Sequence, residues 1–257
     1  MSEPPRLFHF WLDFETTGLN VKQDAILEAG WTITDENLVM LTPLRQRFAA
    51  LVPAVKYPPS GQKFSTFEEG SFASLGKVVR DMHDKSGLTA DWQTSFPSSR
   101  LQHPRDFERL VLDDMAMAGF TRGDRLILSG AGVSHFDNRV LEQHFPSFYK
   151  VGDHPNWAYW THDTSVAART LGSDMMERLR DKATEEESPL LFASFFACEQ
   201  NVDFSVKHLT WRVGDSLRFT RMTAVPHRAA DDVMMSLIDG RILRAANQLT
   251  RQSPYDV

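Results

Sequence analysis

Residues 11–19 read WLDFETTGL, and the run that leads into them, LFHFWL at 7–12, is almost continuously apolar and aromatic. A run with no alternation suits a strand buried on both faces at the centre of a sheet. Asp13 and Glu15 follow two residues apart as that strand ends, so both carboxylates leave the same face. Two carboxylates about 4 Å apart repel by about 4 kcal/mol at an effective dielectric near 20, unless they share a proton or a cation. A divalent cation removes the penalty. An all-oxygen pair favours Mg2+ or Mn2+ over zinc, which normally draws in His or Cys.

Working outward, Gly18 and Asn20 mark a turn, and 25–34 and 38–42 are strand candidates joined by DEN at 35–37. This predicts a three-strand meander. Residues 43–70 carry Pro43, Pro53, Pro58, Pro59, Gly61 and Gly70, which suggests loop and short extended pieces. A helix is predicted over 71–85, stopped by Ser86 and Gly87. A second over 103–118 places Phe107, Leu110, Val111, Met115 and Met117 on one side. Then come a strand at 125–128, the loop SGAG at 129–132, and a helix from near Phe136. A last helix runs from near His227 to about Leu249, with Val233, Met234, Leu237, Ile238, Ile242 and Leu243 at helical spacing. Residues 174–188 read as a charged helix and 201–222 as a pair of strands. The order implies a three-layer α/β domain over 1–257, with an insertion at about 172–224.

The formal net charge of -6 argues against non-specific clamping of long duplexes, which runs on many Lys and Arg contacts to phosphate. A short oligonucleotide, or a strand end threaded onto metals, stays compatible. With Cys198 the sole cysteine, neither an intrachain disulfide nor a thiolate metal cage can form, and a reducing compartment fits. No run of about 18 apolar residues suggests a membrane span, so a cytoplasmic protein is expected.

Three motifs lift the acidic pair above a solvated accident. DFETTGL resembles the first motif of the DEDDh-type 3'-5' exonuclease superfamily, which includes proofreading subunits of DNA polymerases and oligoribonucleases. GAGVSHFDNRVL matches the second and selects Asp137; HRAADD matches the third and selects His227 and, five residues on, Asp232. Singly, Asp137, Asp231 and Asp232 could be carboxylates favoured at helix N-termini, and His227 a surface residue. Spacing of four would put Asp231 on the face of residue 227, so it stands as second choice to Asp232. The resemblance implies a ribonuclease H-like exonuclease fold, a central mixed sheet flanked by helices. It also implies a catalytic set of Asp13, Glu15, Asp137, His227 and Asp232, in which the four carboxylates hold two Mg2+ or Mn2+ ions. His227 would be the general base, with activity rising through roughly pH 6 to 8.

Within the superfamily the chain looks more like the oligoribonucleases, through MHDKSGL at 82–88, YWTHDTS at 159–165 and the opening WLDFETTGL followed by ITDENL. That likeness implies a 3'-5' exonuclease that trims short RNA or single-stranded DNA to nucleoside 5'-monophosphates. Leu19 would wedge against the bases, and His83, Tyr159 and Ser165 would surround the 5' phosphate end. Tyr159 would reach in from a second protomer, so a homodimer is implied. Val78 stands where the family has a base-stacking Trp, so either Trp92 or Trp160 substitutes or affinity for short substrates falls. The long stretch before His227 is a second departure. The alternatives are an exonuclease on longer single strands and a nucleic-acid-binding module that has lost its chemistry.

Overall fold

The computed structural model describes residues 4–53, 75–149, 155–167, 207–210, 218–222 and 227–251. Strand β1 (Leu7–Thr16) pairs antiparallel with β2 (Ile26–Asp35), which pairs antiparallel with β3 (Arg45–Leu51). On its other side β1 runs parallel to β4 (Arg125–Gly130), and β4 to the short β5 (His162–Asp163), giving the order β3-β2-β1-β4-β5. The apolar run at 7–12 is thus the central strand, as its unbroken hydrophobicity predicts.

β1 sends Phe8, Phe10, Leu12 and Phe14 to one face, where they join Phe107, Val111 and Met115 of α3 (Pro104–Met117) and Val140 and Leu141 of α4 (Asp137–His144). On the opposite face lie Trp11, Asp13 and Glu15. There the C-terminal helix α6 (Ala229–Arg251) packs Val233 and Leu237 against Trp11 and Leu38. A Cβ at Gly240 would lie 2.6 Å from the Trp11 ring, so that glycine is what lets the helix approach so closely. Helices on both faces of a mixed sheet make the expected three-layer α/β fold. Among the described residues the other α-helices are α1 (Lys77–Lys85), α2 (Leu88–Thr94) and α5 (Pro146–Tyr149).

The third strand of the meander begins later than predicted. Residues 38–42 make one isolated bridge, Thr34 to Met40, and β3 lies in the segment 43–70 that read as loop and short extended pieces. Side chains displace the ladder here: Asp35 Oδ1 accepts from the amides of Asn37 and Val39, Leu38 takes φ 63°, and the Thr42 hydroxyl accepts the Ile33 amide. α1 ends where Ser86 and Gly87 predict, but Gly87, at φ 75°, immediately starts α2, which the sequence pattern does not reveal. His103 caps α3 in a reciprocal capping box with Asp106. The expected strand pair at 201–222 is present as β6 (Lys207–Thr210) and β7 (Arg218–Met222), antiparallel. The helix expected at 174–188 lies outside the described residues, as does most of the insertion at 172–224.

Candidate active site

Asp13 and Glu15 lie at the end of β1, opposite Gly30 and Glu28 of β2. Asp137 is the first residue of α4, and its Oδ1 accepts the Phe14 amide at 3.1 Å, which ties that helix to the strand between the two acidic residues. The loop before it is shaped by Asp163, whose carboxylate accepts from the amides of Gly132, Ser134, Ser165 and Val166 and from the hydroxyls of Ser134 and Ser165. Burial works against the Asp163 charge, yet these donors hold its carboxyl well below the usual range.

His227 and Asp232 come from the start of α6. The His227 amide donates to Asp232 Oδ2 at 3.0 Å. Glu15, His227 and Asp232 each offer a ligand atom within 4.8 Å of the others. Among the last two aspartates the geometry therefore gathers Asp232 in this group. His227 itself has φ 62°, a left-handed backbone rare for a side chain of its size. A Cβ at Gly30 would come within 2.3 Å of the Ala229 carbonyl carbon, so only glycine lets the start of α6 lie against the strand beside Asp13.

The electrostatics are lopsided. Burial, then Asp137, Glu15 and Asp232, push the Asp13 carboxyl well above its ordinary value, and its Oδ2 is buried with no hydrogen-bond partner among the described residues. Burial, followed by Asp232, Glu28 and Asp137, raises Glu15 to about 8, against the opposing pull of Arg228. Burial raises Asp137 to about 7, although the Phe14 amide works the other way. Four carboxylates and an imidazole, with a buried oxygen left unpartnered, form a donor set that fits hard divalent cations. Partial desolvation holds His227 below the ordinary imidazole value, so it is neutral near pH 7.

The residues expected to contact substrate stand differently. Leu19 is 81% exposed, on a turn stapled by Asp24, which accepts from the Thr17 hydroxyl and the Asn20 amide. Tyr159 is 94% exposed, its ring edge-on to Trp160. His83, by contrast, is fully buried. Its Nε2–H donates to the Thr16 carbonyl at 2.8 Å, and Nδ1 lies 3.8 Å from Glu15 Oε2, so the ring sits beneath the strand end. The Ser165 hydroxyl donates to Asp163 at 2.8 Å. Trp92 is also fully buried: its indole donates to the Ala49 carbonyl and Arg100 stacks on its face, which removes it as a replacement for the base-stacking Trp.

Sequence reasoning missed Glu28, Arg228 and Asp163. Glu28 announced itself only as a lone charge inside the apolar stretch ILEAGWTIT, and Arg228 only as the neighbour of His227.

No family model matches the chain. It is 33% identical over 81 residues to the oligoribonuclease of Streptomyces coelicolor, a match that covers 32% of each chain. Among solved structures, an exonuclease I from Methylocaldum szegediense superposes over 98% of this chain and 41% of its own, with TM-score 0.48 and 14% identity. Exonuclease I of E. coli in complex with a dA16 oligonucleotide covers 95% of this chain and 42% of its own, with TM-score 0.46 and 10% identity. The matches thus span less than half the length of each of these relatives. The three motifs, which lie in order along the chain on the strand and helices described above, resemble those of the DEDDh-type 3'-5' exonuclease superfamily.

Proposed function

We propose that the protein is a metal-dependent 3'-5' exonuclease that hydrolyses short single-stranded oligonucleotides to nucleoside 5'-monophosphates. The observation that carries this reading is the gathering of Asp13, Glu15, Asp137, His227 and Asp232 from three distant segments, with the Asp13 carboxylate oxygen buried and unpartnered. A protein that only bound nucleic acid would gain nothing from that repulsion.

In this reading Asp13, Glu15, Asp137 and Asp232 hold two Mg2+ or Mn2+ ions, which when bound acidify a water and offset charge on the scissile phosphate. His227, neutral near pH 7, accepts the proton of the attacking water. Because desolvation lowers its pKa, the acid limb of the activity profile is expected below the ordinary imidazole value of about 6.5. Leu19, projecting from its stapled turn, is the candidate wedge against the terminal base. Tyr159 is the candidate contact from a second protomer, which makes a homodimer part of the proposal.

The second reading, an exonuclease on longer single strands, is favoured by position 78. Val78 is 80% exposed but has no aromatic face, and the buried Trp92 cannot supply one. Substrates of two to thirty nucleotides, labelled at the 5' end and incubated with Mg2+ or Mn2+, separate the readings. Preference for dinucleotides supports the first, laddering of long strands the second, and no hydrolysis in either metal sinks both. Sedimentation tests the dimer independently; a monomer removes the role given to Tyr159.

A further inference from the structure

Glu28 is fully buried directly across the ladder from Glu15, close enough for its charge to act on both Asp13 and Glu15, yet its own oxygens are already occupied. Four donors fill its two oxygens. Oε1 accepts from Gln46 at 2.6 Å and from Arg228 Nη2 at 3.0 Å, and Oε2 accepts from Arg228 Nε at 3.3 Å and from the Ala229 amide at 2.9 Å. The last contact places a carboxylate on the first amide of α6, where the helix dipole favours negative charge. Arg228, 15% exposed, continues outward through Nη1 to Asp91 of α2 at 2.7 Å.

This ion-pair chain brackets the strained residue. A non-glycine residue at positive φ persists only where its surroundings over-determine it. His227 is gripped on one side by Asp232 through its amide and on the other by the two residues that follow, both bound to Glu28. We propose that Glu28 and Arg228 are positioning residues, whose buried ion pair holds the left-handed turn at His227 and so keeps its imidazole beside Glu15 and Asp232. The inference rests on the reading of His227 as general base, but its geometry can be tested without that chemistry. A guanidinium fork is required because one planar group must reach two carboxylates at once, which a Lys ammonium does as a single point charge.

The test uses the whole chain with Arg228→Met, Arg228→Lys and Glu28→Gln, each assayed well below its own melting temperature. Arg228→Met is expected to lower kcat by about 10- to 100-fold, as a misplaced catalytic group does, with KM changed by less than about threefold. Arg228→Lys should recover part of that loss. A second readout needs no turnover: the His227 ring signal in histidine-labelled protein, assigned by its absence in His227→Asn, should broaden on adding Mn2+. That broadening should weaken in Arg228→Met and in Glu28→Gln, while water-proton relaxation shows Mn2+ still bound. Folded variants with parental kcat and parental broadening overturn the inference, as does a lower melting temperature with both readouts unchanged. If Arg228→Met does not fold, Arg228→Lys and Glu28→Gln decide by the same readouts. If the parental chain hydrolyses nothing, the proposed function fails while the ring signal still decides the positioning role.

Discussion

Glu28 and Asp13 stand on neighbouring strands and on the same face of the sheet, yet one has every lone pair committed and the other has a buried oxygen with no partner. Asp114 belongs with Glu28. On α3 it accepts from the Trp31 indole at 2.8 Å and from both Arg45 Nε and Nη2, a buried carboxylate filled by donors. Buried polar groups without partners are rare because each costs the desolvation of that group. A fold able to fill Glu28 and Asp114 so completely could have filled Asp13 too. In the proposed function, the difference separates carboxylates that build the scaffold from those that would hold a cation.

The largest expected effect sharpens the reserved side. His227→Ala is expected to lower kcat by about 100- to 10,000-fold, the usual worth of a positioned general base, while Mn2+ binding by calorimetry persists through the carboxylates. Hydrolysis at the parental rate would remove His227 from the chemistry.

Next, the two classes should answer in opposite directions when neutralised. Asp114→Ala strands Arg45 and Trp31 and is expected to cost about 3 to 5 kcal/mol in urea unfolding. Asp13→Asn relieves repulsion instead and should raise the metal-free melting temperature, by about 2 to 4 °C for each kcal/mol relieved. If both substitutions destabilise equally, the distinction between scaffold and reserved carboxylates is wrong.

A third comparison varies pH. Glu15 and Asp137 have folded values near 8 and 7, above their ordinary values, so the folded state takes up protons more readily than the unfolded chain. Their contribution to stability is full below about pH 4 and is lost as pH rises through 7 to 8. The metal-free melting temperature should therefore fall across that window, and Mg2+ or Mn2+ should restore much of it. Asp13→Ala should abolish most of that metal-dependent rise. A metal-free melting temperature that climbs from pH 5 to 8 would contradict the direction of these shifts.

The smallest effect concerns position 78. Val78→Trp places an aromatic face on an 80% exposed site, and stacking on one base is worth about 1 to 3 kcal/mol. The KM for dinucleotides is expected to fall by about tenfold with kcat unchanged; no change would mean that the substrate does not pass this face.

The central strand, the shared face of Asp13 and Glu15, the helix that carries Asp137 and the long last helix were legible in the residues alone. Each follows from hydrophobic periodicity or from a motif contained in a dozen residues. The late start of β3 was not legible, because the Thr42 hydroxyl and the Asp35 carboxylate take ladder positions that a propensity pattern assigns to backbone. Nor was the fate of His83, Trp92 and Glu28, since whether a polar side chain faces solvent or a buried partner depends on what another segment brings to it. Arg228 meets Glu28 two hundred residues away along the chain. Which acidic residues of this chain are filled by donors and which are not depends on the segments packed against them, because burial and charge compensation are properties of what surrounds a residue.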